Sequence, residues 1–292
     1  MRMKILKNRK KDDESGAAVV GKGTKIFAYT VLTIAVIAVI LPLLWLFLTS
    51  MKTRQDLAHN TWGLPESWEF KNYVIAWTGS KIPRYMLNSM RATGLSILLT
   101  VVLATPVSFV ISRFKFKGKN LLYLFFIAGM MIPIHSTVIP IYQMVGKLNL
   151  KNNLEVLSII YGAYRIPVSI FILEGFMVGI PKELEECAII DGASVMDIFM
   201  KVICPLSKDG IVTIAILTVL SSWNELLLSM LLISDPRLKT LPNGLMGFIT
   251  EYNSEYTQLA AGIMIAIVPP VIFYAFMQEK IQKGMIAGAV KG

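Results

Sequence analysis

The sequence predicts an all-α membrane protein with six membrane-crossing helices. Two observations predict it. Of 292 residues, 54% are hydrophobic and only 16% charged, against about 45–50% and roughly 25% in soluble domains. The apolar excess also falls in long runs, each near the ~20 residues a helix needs to cross hydrocarbon.

Those runs lie at 26–50, 88–112, 121–142, 154–178, 209–233 and 260–281. The first follows a basic stretch with no small-residue cleavage site, and it is longer than the apolar region of a signal peptide. It therefore reads as a retained span. Residues 1–25 read as a basic tail, of which 1–22 is charged and flexible, and residues 282–292 as a C-terminal tail. Lys and Arg alternate in density along the chain. Segments 1–25, 113–120, 179–208 and 280–292 hold 18 of them, whereas 51–87, 143–153 and 234–259 hold 9. By the positive-inside rule this puts both termini and the 179–208 connection in the cytoplasm of a multi-pass plasma-membrane protein.

The net charge of +10 is thereby explained by topology, and no nucleic-acid partner is needed. The Arg113–Lys119 stretch, "RFKFKGK", is too short for a nucleic-acid surface and suits the lipid headgroup layer. Gly16 to Lys22 fits the GxxxxGK spacing of a phosphate loop. However, Gly23 stands where Ser or Thr must hold magnesium, and no strand precedes it. Two cysteines, Cys187 and Cys204, and two histidines, His59 and His135, are too few and too scattered for a metal site or a disulfide framework.

The most informative polar window is Glu186–Leu206, "ECAIIDGASVMDIFMKVICPL". Pro181 suits a first helical position, and Glu183, Glu185 and Glu186 favour the positive end of a helix. Leu184, Cys187, Ala188 and Asp191 share a face at i, i+3, i+4, i+7 spacing. Gly192 stands where a left-handed terminator belongs. Ser194 and Asp197 form an S-x-x-D capping box for a second helix, which Pro205 should end. An amphipathic connector lying on headgroups accounts for the second helix but not for the small, acidic face of the first. A rigid docking element accounts for both.

This window resembles the cytoplasmic signature of ABC importer permeases, E-A-A-x-x-D-G-A followed by hydrophobic-Pro. The matching positions are Glu186, Cys187, Ala188, Asp191, Gly192, Ala193 and Pro205, with Cys187 for the usual Ala, Cys204 for Leu and Asp209 for a second Pro. Phe70–Tyr73, Leu87–Met90, Ser222–Glu225, Thr240–Leu245 and Gly288–Gly292 extend the resemblance. They make the chain similar to the smaller, six-span subunit of maltose-type carbohydrate importers. The resemblance implies the type I ABC importer permease fold across 26–281. It also implies that 180–206 is a coupling loop, in which Glu186, Cys187, Ala188, Asp191, Gly192 and Ala193 seat in an ATPase subunit.

A permease needs polar groups where they are expensive: a charge at mid-membrane costs about 3 kcal/mol on insertion scales. Ser221 to Glu225 lie near the middle of the fifth run. An indole, an amide and a carboxylate suit a sugar, giving a stacking face and hydroxyl partners. Trp223 and Asn224 are therefore read as pathway residues. Ser222 is equally compatible with helix-to-helix glue, and Glu225 with a basic partner across a subunit interface. In the third run, Pro133 and Pro140 break the ladder, so His135 can line a cavity, with helix packing as its competitor. Arg165 and Glu174 are about 13 Å apart along one helix, too far to pair, and each needs another partner.

Taken together, the sequence reads as the permease subunit of a carbohydrate ABC importer. It has no catalytic site and no cofactor of its own, because ATP is bound by a separate ATPase dimer. A second permease completes a heterodimer, a sugar-binding protein delivers substrate from outside, and lipid surrounds the spans. The close alternative is a permease for amino acids, phosphate or peptides. A secondary transporter would show inverted repeats and ion-coupling acids, and neither is evident. An intramembrane enzyme would need paired aspartates or H-E-x-x-H, which the spans lack.

Overall fold

The computed structural model describes residues 22–249 and 255–289. The basic tail read over 1–25 lies outside the described residues as far as residue 21. Helix α1 (Lys22–Ser50) is the first span. After it, α2 (Arg54–His59) and α3 (Lys71–Val74) build a compact connection at one end of the bundle. Thr53 caps α2. The wholly buried Lys52 donates to the Asn60 carbonyl, and the Asn72 amide donates to the carbonyls of Ser50 and Lys52. Trp45 tilts against Trp62 there and donates to Thr61 O, as aromatic residues do at a membrane–water boundary.

Helix α4 (Ile82–Arg113) begins six residues earlier than the apolar run, because Pro83 can sit in a first helical turn. It packs along α7 (Leu154–Val178), whose bounds coincide with the apolar run. The seam between them is made of small and hydroxyl residues. Ser96 donates to Ser158 O and Thr100 to Gly162 O. A Cβ on Gly162 would come within 3.3 Å of Ser96 O. Close backbone approach of this kind drives association where lipid removes the hydrophobic incentive.

The third run is not one helix. It comprises α5 (Lys119–Met130), a 3-10 turn at Ile134–Thr137, and α6 (Val138–Lys147), bent by 89° at the break. The connection after α7 contains α8 (Glu183–Ile190), α9 (Val195–Asp197), a π turn at Ile198–Ile203 and α10 (Cys204–Leu206). Pro205 does not end this segment: it occupies the first turn of α10, and the chain turns by 70° at Ser207 into α11 (Lys208–Trp223). The fifth run is interrupted too, because α11 stops at Trp223 and α12 (Leu227–Leu232) follows a three-residue gap. After α13 (Leu241–Leu245), α14 (Tyr256–Ala289) is the final span. It carries helix well into the 282–292 segment read as a tail.

Among the described residues four helices are long and apolar enough to cross alone: α1, α4, α7 and α14. Counting each bent pair as one span (the third run, and α9–α10 with α11) brings the number to as many as six. Helix α1 packs on α14 and, at its C-terminal end, on the α2–α3 connection, and most of its length is exposed, as a lipid-facing span would be. Two apolar clusters form the core at the α1–α4 connection end. One, around Leu157 and Tyr161, joins α6, α7 and α12; the other, around Tyr85 and Trp223, joins α4, α11, α13 and α14. Gly244 is fixed by this second packing, since a Cβ there would fall 2.1 Å from the Tyr85 ring. Gly247, one turn on, has open space in the same position. Gly244→Ala should therefore lower the melting temperature in detergent by several degrees, an overpacking cost of about 1–3 kcal/mol. Gly247→Ala should leave it within about a degree. Equal shifts for the two would refute this packing account.

Candidate functional site

Two regions concentrate polar chemistry: a cavity beside the two broken spans, and the α8–α10 connection at the end of the bundle.

The cavity has a volume of about 670 Å³, within the range of small-molecule sites. It opens between the α5–α6 break, α7 and the α11–α12 break, and its polar wall includes His135, Tyr164, Arg165, Ser222, Asn224 and Glu225. Breaking a helix frees carbonyls and amides that lipid cannot satisfy, so the break must supply partners. At the first break, Ser136 donates to Pro133 O and Thr137 to Ile134 O, both at 2.7 Å, and the Thr137 and Tyr164 hydroxyls hydrogen-bond. At the second, Glu225 serves as the cap. Its carboxylate accepts from the Tyr161 hydroxyl at 2.6 Å and from the backbone amides of Leu228 and Ser229 at 2.8 and 3.1 Å. Three donors thus hold the carboxylate where the chain restarts as α12, a local partner set found within this subunit.

Arg165 crosses to α11, donating from Nη2 to Leu217 O at 2.7 Å. Its Nε, buried, has no partner among the described residues, so donors of this guanidinium are left uncommitted at a cavity wall. Glu174 accepts from the Tyr123 hydroxyl of α5 at 3.5 Å. Both residues therefore find partners on neighbouring helices, as their 13 Å separation requires. Ser222 Oγ, buried, lines the cavity without a hydrogen-bond partner among the described residues. His135 is exposed on the 3-10 turn, and Asn224, exposed at the end of α11, donates only to Leu220 O one turn back.

The residues read as a set in the sequence thus divide. His135, Ser222, Asn224 and Glu225 share the cavity, but Trp223 does not line it. Its indole is 7% exposed and packs with Tyr85, Leu241, Leu245 and Phe248, because neighbours on a helix point about 100° apart. Arg165 and Tyr164 complete the cavity wall. Their signal in the sequence was two polar residues at mid-span.

The α8–α10 connection has well-defined ends. Gly192 has φ +81°, Gly192 N donates to Ile189 O, and Ala193 N donates to Ala188 O. That is a Schellman terminator, the end the sequence predicts at Gly192. Ser194 and Asp197 form the reciprocal capping box. Donation from the Lys201 ammonium and from Ser194 holds the Asp197 carboxyl at about 2, so the box stays formed at any physiological pH. The helix faces are also distinct. Ala188 and Ala193 turn inward against Phe109, Met177, Ile198 and Ile203. Glu186, Cys187, Asp191 and Gly192 are exposed. Beside them stand Ile189, Ile190, Val195 and Met196, also exposed, with Ile190 at 84%. The bend therefore presents an apolar edge flanked by acids, on a backbone that is fixed.

The family described as "Binding-protein-dependent transport system inner membrane component" matches residues 96–287. ORF2 of Caldicellulosiruptor sp. (strain Rt8B.4), named as an ABC transporter permease protein, is 39% identical over 272 residues, 93% of this chain and 98% of that protein. The diacetylchitobiose uptake system permease protein NgcG of Streptomyces coelicolor is 30% identical over 257 residues, 87% of this chain and 85% of that one. A solved structure, from a bacterial ABC transporter involved in the import of the acidic polysaccharide alginate, has the same fold. It superposes with a TM-score of 0.78 at 21% identity, over 90% of this chain and 99% of that one.

The cavity and the packed cluster predict different phenotypes for adjacent residues. Trp223→Ala should cost about 3–5 kcal/mol of stability, as large aromatic truncations in cores do, and be seen as a loss of folded protein on heating. Asn224→Ala should melt within about a degree of the parent, since it gives up one local hydrogen bond at an exposed site. The opposite ranking in a thermal-shift measurement would show that Trp223 faces open space.

Proposed function

The chain belongs to the binding-protein-dependent transport inner-membrane family, the permeases of ABC importers, and we propose that it forms half of a carbohydrate pathway driven by a separate ATPase. The observation that carries the reading is the α8–α9 bend: a capped, rigid element with an exposed apolar edge at the end of the bundle. Exposed apolar groups on a fixed scaffold suit a protein partner, and the flanking acids give the contact polarity.

Permeases of this family are not enzymes. On this reading ATP binds to a dimer of ATPase subunits, one of which receives α8. Glu186, Asp191, Ile189 and Ile190 contact it, while Ala188 and Ala193 hold the helix against its own bundle. A second permease supplies the other wall of the pathway, and a binding protein delivers the sugar outside. The α8 end and both termini lie in the cytoplasm, in keeping with the distribution of Lys and Arg.

Carbohydrate as the cargo is supported by the diacetylchitobiose relative and by the composition of the cavity. Arg165, Tyr164, Asn224 and His135 offer donors and acceptors in a mostly apolar recess, which suits an oligosaccharide with hydroxyl edges and apolar ring faces. Alternating access then follows. ATP closes the ATPase dimer and displaces α8, the cavity opens outward to take sugar, and hydrolysis returns it inward.

Two measurements test this. Gly192→Val puts a β-branched residue at φ +81°, a strain of at least about 1–2 kcal/mol in an exposed bend. The variant should reach the membrane at the parent's level, lose co-purification of the ATPase, and lose uptake. Normal ATPase recovery and uptake would eliminate the docking role. For the pathway, Asn224→Ala should reduce uptake of a responding sugar from a radiolabelled disaccharide panel by roughly tenfold, the effect of about 1.4 kcal/mol. The ATPase should remain bound. Unchanged uptake would remove Asn224 from the pathway.

A further inference from the structure

The link between a docking helix and a cavity elsewhere in the bundle must be a physical connection. Between α8 and α4 there is one. Arg113, the last residue of α4, reaches into the start of the α8 connection with a side chain 5% exposed. Its Nη2 donates to Ile180 O at 2.9 Å. Its Nε stands 2.7 Å from Oε1 of Glu185 in α8, whose side chain is 16% exposed. The N–H is not aligned with that oxygen, and neither atom has another hydrogen-bond partner among the described residues. The contact is therefore one of charge at close range, sheltered from water, and one guanidinium grips both the backbone before α8 and a side chain on it. A lysine would offer a single point charge in place of this fork.

The far end of α4 is held in the same way. The Asn88 amide donates to Arg237 O and Lys239 O at 3.0 and 2.9 Å, and Arg84 Nε donates to Arg237 O at 3.0 Å. Ser89 Oγ accepts from Leu241 N at 2.8 Å. These contacts fix the 237–241 segment and the start of α13, which packs on Trp223, the residue before Asn224 at the cavity wall. Helix α4 is thus one helix of 32 residues, with Pro106 two turns before Arg113, held to α8 at one end and to the packing behind the cavity at the other.

We propose that Arg113 is the positioning residue that locks the docking helix to α4, so that displacement of α8 by the ATPase is delivered along α4 to the cavity wall. Glu185 is its partner in this role. Neither residue touches the cargo, and Glu185 is distinct from the exposed acids Glu186 and Asp191. Transmission of ATPase motion rests on the docking reading above. The lock between α8 and α4 is internal to this chain and does not.

The lock can be measured directly. With Cys187 and Cys204 replaced by serine, nitroxide labels are placed at Glu183 on α8 and Leu103 on α4, both exposed, in the full chain purified with its partner subunits. The expected result is one narrow distance distribution, with the same mean in nucleotide-free and ATP-vanadate-trapped complexes. Arg113→Gln and Glu185→Gln should each lose the narrow distribution. The double variant should be no broader than Arg113→Gln, since both remove one interaction. Arg113→Lys, which keeps the charge but not the fork, should fall between. A narrow, unchanged distribution in Arg113→Gln would overturn the proposal, as would broadening in the parent. If the ATPase proves to bind elsewhere, the docking reading falls, whereas the distances without nucleotide still decide the lock.

Discussion

Hydrocarbon offers no hydrogen bonds, and the arrangement of this protein follows from that constraint. A helix can cross because it satisfies its own backbone, and any interruption must find partners inside the protein. Among the described residues two spans are interrupted, at 131–137 and at 224–226, and both interruptions face the same cavity. Hydroxyls of Ser136 and Thr137 satisfy the first, and the carboxylate of Glu225 satisfies the second. The polar groups needed to make the breaks tolerable are therefore adjacent to those that can meet a hydroxyl-rich cargo.

The same constraint explains how the bundle is held. With lipid as apolar as leucine, α4 and α7 associate through small residues and hydroxyl-to-carbonyl bonds along their seam. A stiff seam makes α4 suitable as a lever. Its ends are polar, lying where groups such as Arg113 and Asn88 can be charged or amide-bearing at lower cost. The α8 connection and the packing behind the cavity are thus both held to α4 by contacts of ordinary strength.

Much of this was legible in the sequence where the signal was local. Apolar runs located all six spans, Gly192 announced its left-handed turn, and the Ser194–Asp197 spacing announced the capping box. Pro133 marked the break of the third span. The break after Trp223 was not legible, because Ser-Trp-Asn-Glu-Leu contains no proline or glycine. It is made by Tyr161 and two amides gathering on Glu225, and Tyr161 is 64 positions away. Trp223 and Asn224 read as a pair because they are consecutive, yet consecutive helical residues diverge by about 100°, and only packing reveals which faces the cavity. The Arg113–Glu185 contact joins residues 72 positions apart, which no local pattern encodes. In the Glu183–Leu206 connection, the spacing of small and acidic residues pointed to the docking role proposed above, but the inward turn of Ala188 and Ala193 and the exposure of Ile189 and Ile190 depend on the α4 and α7 ends beneath them.

On the proposed function, the shape of the cavity changes with the nucleotide bound on a partner ATPase. The most direct measurement is the distance between labels at Met130 and Leu226, which flank the cavity on its two broken spans, in the assembled importer. It would be taken by pulsed electron paramagnetic resonance without nucleotide and after trapping with ATP and vanadate. Two distinct distances, one for each state, are expected. A single distance common to both would contradict the proposed function.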